Sequence, residues 1–510
     1  MEAMRAFPLL AGTLLLLAGC MSASNTSSTT GASHGGAVVY PDERYTAPFD
    51  SMPDGAGHDH ADPGQHKFLW NYAFSARDPL MANAANAAGI HAMDLQNGWL
   101  FGAVYGSHTV SVDGGMQIWD VHSDPAHPKE MGRWIIPGSV GGDRSIGATP
   151  DGDYVVLGTE YVDCLGHINP AGAAFTAYLL DTRNKNQPLV ADVLLASGGT
   201  LGDPTNNRLH SSTHSVFVHR INGLDYAFIF GDIYQIVRAE DGTAKLVASG
   251  TVSTGHDLYV RDTPWNTTWS LSANGGGGVS VVDVTDPSKP FDIGTWDIPN
   301  RTELEAKNGG YYVHTVDVAF IGDQTLVVVA SEDFVPDPQH THPSPFWVLD
   351  GNALKSVQRG SEPIQMTQLG EWHNPGNHSA LNIRFSLHNQ RLHDGGLMTI
   401  SSYHAGWFQF DLRNPAFWSN PSLIAMGAYA DGAAPVTIDP VESTVENQLC
   451  KLGVTVDAPE QMDVAVGPNG VLYLADVFMG LYTFTPTADH PIYGSHRTLE
   501  YSGQNTPGLL

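Results

Sequence analysis

From Ile90 onward the apolar residues of this chain fall into short runs of strand type, and no long stretch carries the 3.6-residue period of an amphipathic helix. The clearest run, GVSVVDVTDPSKP at Gly278–Pro290, reads as a strand closed by an Asp-Pro-type turn, and FDIGTWDIP after it reads as the next strand. The same shape returns from Gly115 to Pro137, and more weakly in segments ending at Pro188 and Trp418. A second pattern, MDVAVGPNGVLYLAD at Met462–Asp476, places two strands around a Pro-Asn-Gly turn, and residues 145–160 and 314–332 match it. Joined, the two patterns make a four-stranded unit. It begins near His91, Arg144, His214, His256, His314, His378 and Glu460.

Seven such units predict an all-β, seven-bladed β-propeller of four-stranded antiparallel blades, because one blade cannot bury its faces alone and a ring of them can. RTLEYS near the C-terminus is expected to supply the outer strand of blade seven, and FLWNYAF (68–74) to add to an edge or cap the ring. The VVDVTDPSKP and DVAV…VLYLAD segments resemble the LVIVD-type propeller repeat of bacterial and archaeal extracytoplasmic proteins over residues 89–500. That resemblance implies the fold. It implies little about activity, since one frame carries many chemistries.

Composition narrows the partners. Asp and Glu number 53 against 24 Lys and Arg, a formal net charge of −29 that repels phosphate backbones and argues against nucleic-acid binding. Gly 55 and Pro 32 suit a turn-rich β protein.

The first residues read as a targeting segment. Arg5 precedes a short apolar run, Leu9 to Ala18, too short to span a bilayer. Leu17-Ala18-Gly19-Cys20 resembles the lipobox of bacterial-type lipoproteins, which implies a signal peptide at 1–19 and lipidation of Cys20. Met21 replaces the Asp typical of inner-membrane retention, so the expected address is extracytoplasmic, anchored to the cell envelope, and in the outer membrane if there are two. Residues 20–66 are then a Ser/Thr/Gly-rich linker ending in a His-rich tract, and 67–510 the propeller. The remaining cysteines, Cys164 and Cys450, are expected to form a disulfide in an oxidising compartment, the alternative being two separate buried thiols.

Histidine is the conspicuous chemistry, at 23 residues. It opens five of the seven units: His91, His214, His256, His314 and His378. In a propeller the innermost strands line the central channel, so these starts form a ring around one mouth. The second-strand ends point to the same mouth and add Glu332, His404 and Asp476. His122, His127, His219, His388 and His393 are expected on the opposite face. Imidazoles backed by carboxylates suit copper, zinc or iron. The metal candidates are therefore His214, His256, His314, His378, His91, His404 and Glu332, with Asp317 expected to orient His314.

Three functions fit. The first is a lipid-anchored binding protein whose funnel holds a transition metal and meets a small molecule or protein. The second is a propeller metalloenzyme, an oxidase or metal-assisted hydrolase, with Glu332 or Glu460 as base. The third is a metal-free interaction scaffold in which each histidine merely bridges neighbouring blades. Catalytic residues are not identifiable at this stage, and neither oligomeric state nor substrate is fixed.

Overall fold

The computed structural model describes residues 68–78, 89–105, 113–140, 144–160, 175–195, 213–253, 255–299, 301, 312–332, 345–372, 386–403, 406–419, 421–428, 461–476 and 480–494. Cys20, Cys164, Cys450, His378, His404 and Glu460 lie outside them, as does RTLEYS.

The described strands form seven sheets, antiparallel throughout except for one short parallel pairing at the edge of blade four. Their innermost strands are Gly89–Gln96, Arg144–Ala148, Val216–Ile221, Asp257–Asp262, Tyr312–Ile321, Leu387–His393 and Gln461–Val466, in blades one to seven. The seven-bladed propeller is thus as the repeat predicts. Blade six, however, starts at Leu387 rather than near His378.

Closure of the ring differs from expectation. The outer strand of blade seven is Tyr72–Asp78, paired antiparallel with Gly480–Pro486, and not RTLEYS. Just before it, Phe68–Trp70 adds a fifth strand to blade six by pairing with Ser422–Ala428. Asn71 separates the two strands with φ 64°, a left-handed conformation that Asn tolerates better than most residues. FLWNYAF therefore does add to an edge, and it staples two blades.

Seven apolar clusters fill the seven seams between blades, which is what a closed ring requires. Between blades four and five, for example, Leu271 and Val281 pack with Val316 and Val329. Nearer the axis the seams are stitched by polar groups. Asp463 Oδ2 accepts from Met93 N at 2.8 Å, Asp94 Oδ2 from Ala148 N at 2.7 Å, and Asp317 Oδ2 from Leu392 N at 2.9 Å. Two guanidiniums complete the layer: Arg391 lies 3.0 Å from Asp463, and Arg261 2.8 Å from Asp317.

This corrects the expected role of Asp317. Its carboxylate takes Arg261, Leu392 N and Val318 N, so it joins blades rather than orienting His314. The His-x-x-Asp spacing thus divides its labour, with the histidine turned to the channel mouth and the aspartate to the next blade.

Asp463 shows what the stitches contribute. Asp463→Ala would leave the buried Arg391 without its carboxylate and Met93 N–H without its acceptor. Breaking one partner of such a buried pair costs about 3–5 kcal/mol. Urea unfolding should show a lower midpoint at unchanged slope, and an unchanged midpoint would refute the stitching role.

Candidate metal centre

Five imidazoles from five blades meet at one mouth of the channel. His214 and His256 stand just ahead of the innermost strands of blades three and four. His91, His314 and His388 lie within innermost strands, each at a register irregularity: between Ile90 and Ala92, Val313 and Thr315, and Leu387 and Gln390. A bulge re-aims the extra residue's side chain, and here it turns each imidazole to the axis.

The rings close a circuit. Centroids are 4.2 Å apart for His214–His256, 4.5 Å for His256–His314 and 4.0 Å for His314–His388. His91 completes it at 6.3 Å from His388 and 6.4 Å from His214. Glu332, at the end of the second strand of blade five, enters the same group. Its Oε2 is 3.4 Å from His314 Nε2 and its Oε1 3.9 Å from His388 Nε2. One donor atom each from His256, His314 and Glu332 lie within 4.8 Å of one another. The Tyr403 hydroxyl donates to Glu332, and the Tyr312 ring meets His256 edge-on at 4.9 Å.

The electrostatics keep three of the five imidazoles neutral. Burial pushes His256, His314 and His388 well below the usual histidine range, and neighbouring imidazoles push the same way. The Met462 carbonyl can only accept, so His388 Nδ1 carries its proton and Nε2 keeps the lone pair toward Glu332. The buried Nδ1 atoms of His256 and His314 have no hydrogen-bond partner among the described residues. That is costly for a polar atom unless something else engages it.

A void of about 30 Å³ lies among Asp94, Asp257, Tyr259, Arg391 and Asp463. Burial raises Asp94 and Asp257 to about 6, against the pull of Arg391.

His91, His214, His256, His314 and Glu332 are brought together as the sequence predicts. His388, expected on the opposite face, is the correction: it belongs to the ring. The spacing to the following turn was the available signal, since His388 precedes Asp394 by the same interval as His91 precedes Asn97, both with positive φ. His219 does stay apart, with Nε2 3.0 Å from Asp262, and His393 pairs with Asp394 at 3.0 Å.

These shifts predict a pH dependence. The three histidines have folded pKa values below the ordinary 6.5, so their share of stability is complete above pH 6.5 and is lost as pH falls toward the folded values. The two raised aspartates act oppositely, but only below about pH 6. Metal-free protein should therefore lose unfolding free energy as pH first drops below 6.5. His314→Gln should show a shallower loss, and identical slopes would contradict the shifted imidazoles.

No protein-family model and no curated protein matches the chain. Among solved structures, the β-propeller domain of Cps50 (Swd1) from Myceliophteria thermophila covers 79% of this chain and 97% of its own, at 11% identity and TM-score 0.40. The periplasmic gluconolactonase PpgL of Pseudomonas aeruginosa covers 79% and 96%, at 12% identity and TM-score 0.44. At that distance neither likeness carries an argument about the site.

Proposed function

We propose that this chain is a transition-metal-binding propeller whose ion, copper, zinc or iron, is held by the imidazole ring and Glu332. The observation that carries the reading is the closed circuit of five buried or half-buried imidazoles, two of whose nitrogens lack any hydrogen-bond partner among the described residues. Neutral imidazole is the form that ligates, and the lowered pKa values of His256, His314 and His388 remove proton competition near neutral pH. A scaffold histidine bridging blades would instead spend its nitrogens on neighbouring backbone. His388 does so with one nitrogen, toward Met462, and keeps the other for the ring.

The arc from His214 to His388 is tighter than the approach to His91. His214, His256, His314, His388 and Glu332 would hold the ion, which would offer a Lewis-acid contact to a small molecule or partner group. Glu332 is committed to Tyr403 and lies against two imidazoles, which suits a ligand better than a free general base. Binding is therefore preferred over turnover. The lipobox-like Leu17–Cys20 and the LVIVD-like repeats support the further reading that this function belongs to an envelope lipoprotein, tethered by Cys20.

The test is elemental analysis of the purified, tag-free propeller. Near-stoichiometric copper, zinc or iron is the expected result. Absence of all three, even after reconstitution, would overturn the reading and leave a metal-free scaffold.

A further inference from the structure

The connection between the third and fourth strands of blade five is unlike its counterparts. Residues 351–366 fill it, whereas 121–128, 182–188, 239–243, 284–290 and 412–421 suffice in blades one, two, three, four and six. The segment does not stay over its own blade. Its Ile364–Gln365 pairs parallel with Phe291–Trp296, becoming a fifth strand of blade four. Leu354 anchors it, buried in the seam between the blades. Gly294 makes room, since a Cβ there would meet Leu354 Cδ2 at 2.2 Å.

This crossing walls a cavity of about 280 Å³ on the face opposite the imidazole ring. Trp265, in the turn after the innermost strand of blade four, supplies one side and is 38% exposed. Its indole is held in place by Phe320 edge-on at 5.5 Å and by Trp269 at 5.7 Å. Phe291 adds a second aromatic surface. Lys355 Nζ lies over the Trp265 ring at 5.1 Å, and the Arg359 guanidinium lies over the Phe291 ring at 4.6 Å while donating to Lys289 O. Thr267, Gln358 and Asp283 complete the polar lining, with one Asp283 oxygen accepting from Thr285 N.

We propose that this cavity is a second ligand site, for a saccharide that carries a carboxylate. A fixed, half-exposed indole suits the apolar face of a sugar ring. Two cations on a chain of net charge −29 mark a local reversal of sign, which selects an anion. Asp283 refines the choice. A carboxylate in the wall repels a bare anion but accepts from hydroxyl donors, so the ligand must bear hydroxyls as well as negative charge. A uronic acid does, and an aromatic carboxylate does not. The volume, just under that of ordinary small-ligand clefts, holds one or two sugar units and leaves a third unit of a trisaccharide in solvent.

Calorimetric titration with galacturonic acid trimer, maltotriose and benzoate tests this on the intact protein. The trimer should bind at least about tenfold more tightly than either other probe, a difference of ~1.4 kcal/mol. Trp265→Ala, a surface change in a turn, should abolish binding at unchanged far-ultraviolet circular dichroism and an unchanged unfolding slope. Lys355→Ala with Arg359→Ala, both exposed, should erase the preference for the trimer over maltotriose and the weakening by salt. The proposal is overturned if the trimer gives no heat at millimolar concentration, if Trp265→Ala binds as well as the parent, or if benzoate matches the trimer. Metal content should be the same in all these variants, so failure here is separate from failure of the metal reading.

Discussion

Changing His256 and His314 together to Ala should abolish almost completely the copper, zinc or iron binding proposed for the imidazole ring. The two residues are the centre of the tight arc, and with Glu332 they form the group whose donor atoms approach within 4.8 Å. Removing them leaves His91, His214 and His388, and His91 stands 6.4 Å from His214 and 6.3 Å from His388 between ring centroids. That is too dispersed to replace two imidazoles whose nitrogens must approach one ion at about 2.0–2.1 Å. The metal-free fold should survive the change. Each deleted ring leaves a small void, but each also removes a buried Nδ1 that has no hydrogen-bond partner among the described residues, and such an atom costs about 1–3 kcal/mol. Elemental analysis beside thermal unfolding reads both quantities. Full metal retention in the variant would sink the proposed centre. A variant that loses metal only because it no longer folds would point instead to a structural ring, and Glu332→Gln, which keeps volume and the bond from Tyr403, then decides. It should weaken metal binding without unfolding.

A chain begun at residue 79 should fail to form a monomeric, cooperatively folding propeller. It lacks both N-terminal strands, so blade seven keeps three strands and the Gly480–Pro486 edge is exposed. The loss reaches beyond backbone pairing. Tyr72 is buried against Trp407 at 4.9 Å and His490 at 5.0 Å, and its hydroxyl donates to Gly470 O at 2.9 Å. Asp78 accepts from Trp119 Nε1 of blade one at 2.7 Å, tying the last blade to the first. An unpaired edge beside an exposed apolar seam is a template for association. Size-exclusion chromatography should show aggregates, and near-ultraviolet circular dichroism should be lost, while a chain begun at residue 67 behaves normally. A monomeric species from residue 79 with an ordinary transition would show that the N-terminal closure is dispensable.

The repeat was readable because its signals are local. Strand alternation, the Asp-Pro turns and the Pro-Asn-Gly turn are properties of a few consecutive residues, and they repeat wherever a blade repeats. His91, His214, His256 and His314 were readable as site residues for the same reason, since a unit start in a propeller must face the channel. His388 was missed because His378 offered a start that fitted the spacing, while the true strand begins later and presents His388 through a register irregularity. Asp317 was misassigned because sequence distance to His314 does not say which side of the strand reaches a neighbouring blade.

The sequence by itself determined the blade count, the four consecutive strands of blades one to six, the excess of acidic residues and most of the imidazole ring, because each rests on local composition or on patterns within one repeat. Tertiary structure alone decided how the ring closes, which fifth imidazole completes the circuit, and where residues 351–366 come to rest. Those outcomes depend on pairing between segments far apart in the chain. Tyr72–Asp78 finds Gly480–Pro486, and Ile364–Gln365 finds Phe291–Trp296, only after the blades have docked and left those edges open. An edge strand accepts whichever compatible strand the closed ring delivers to it, and nothing in the local pattern of either partner names the other.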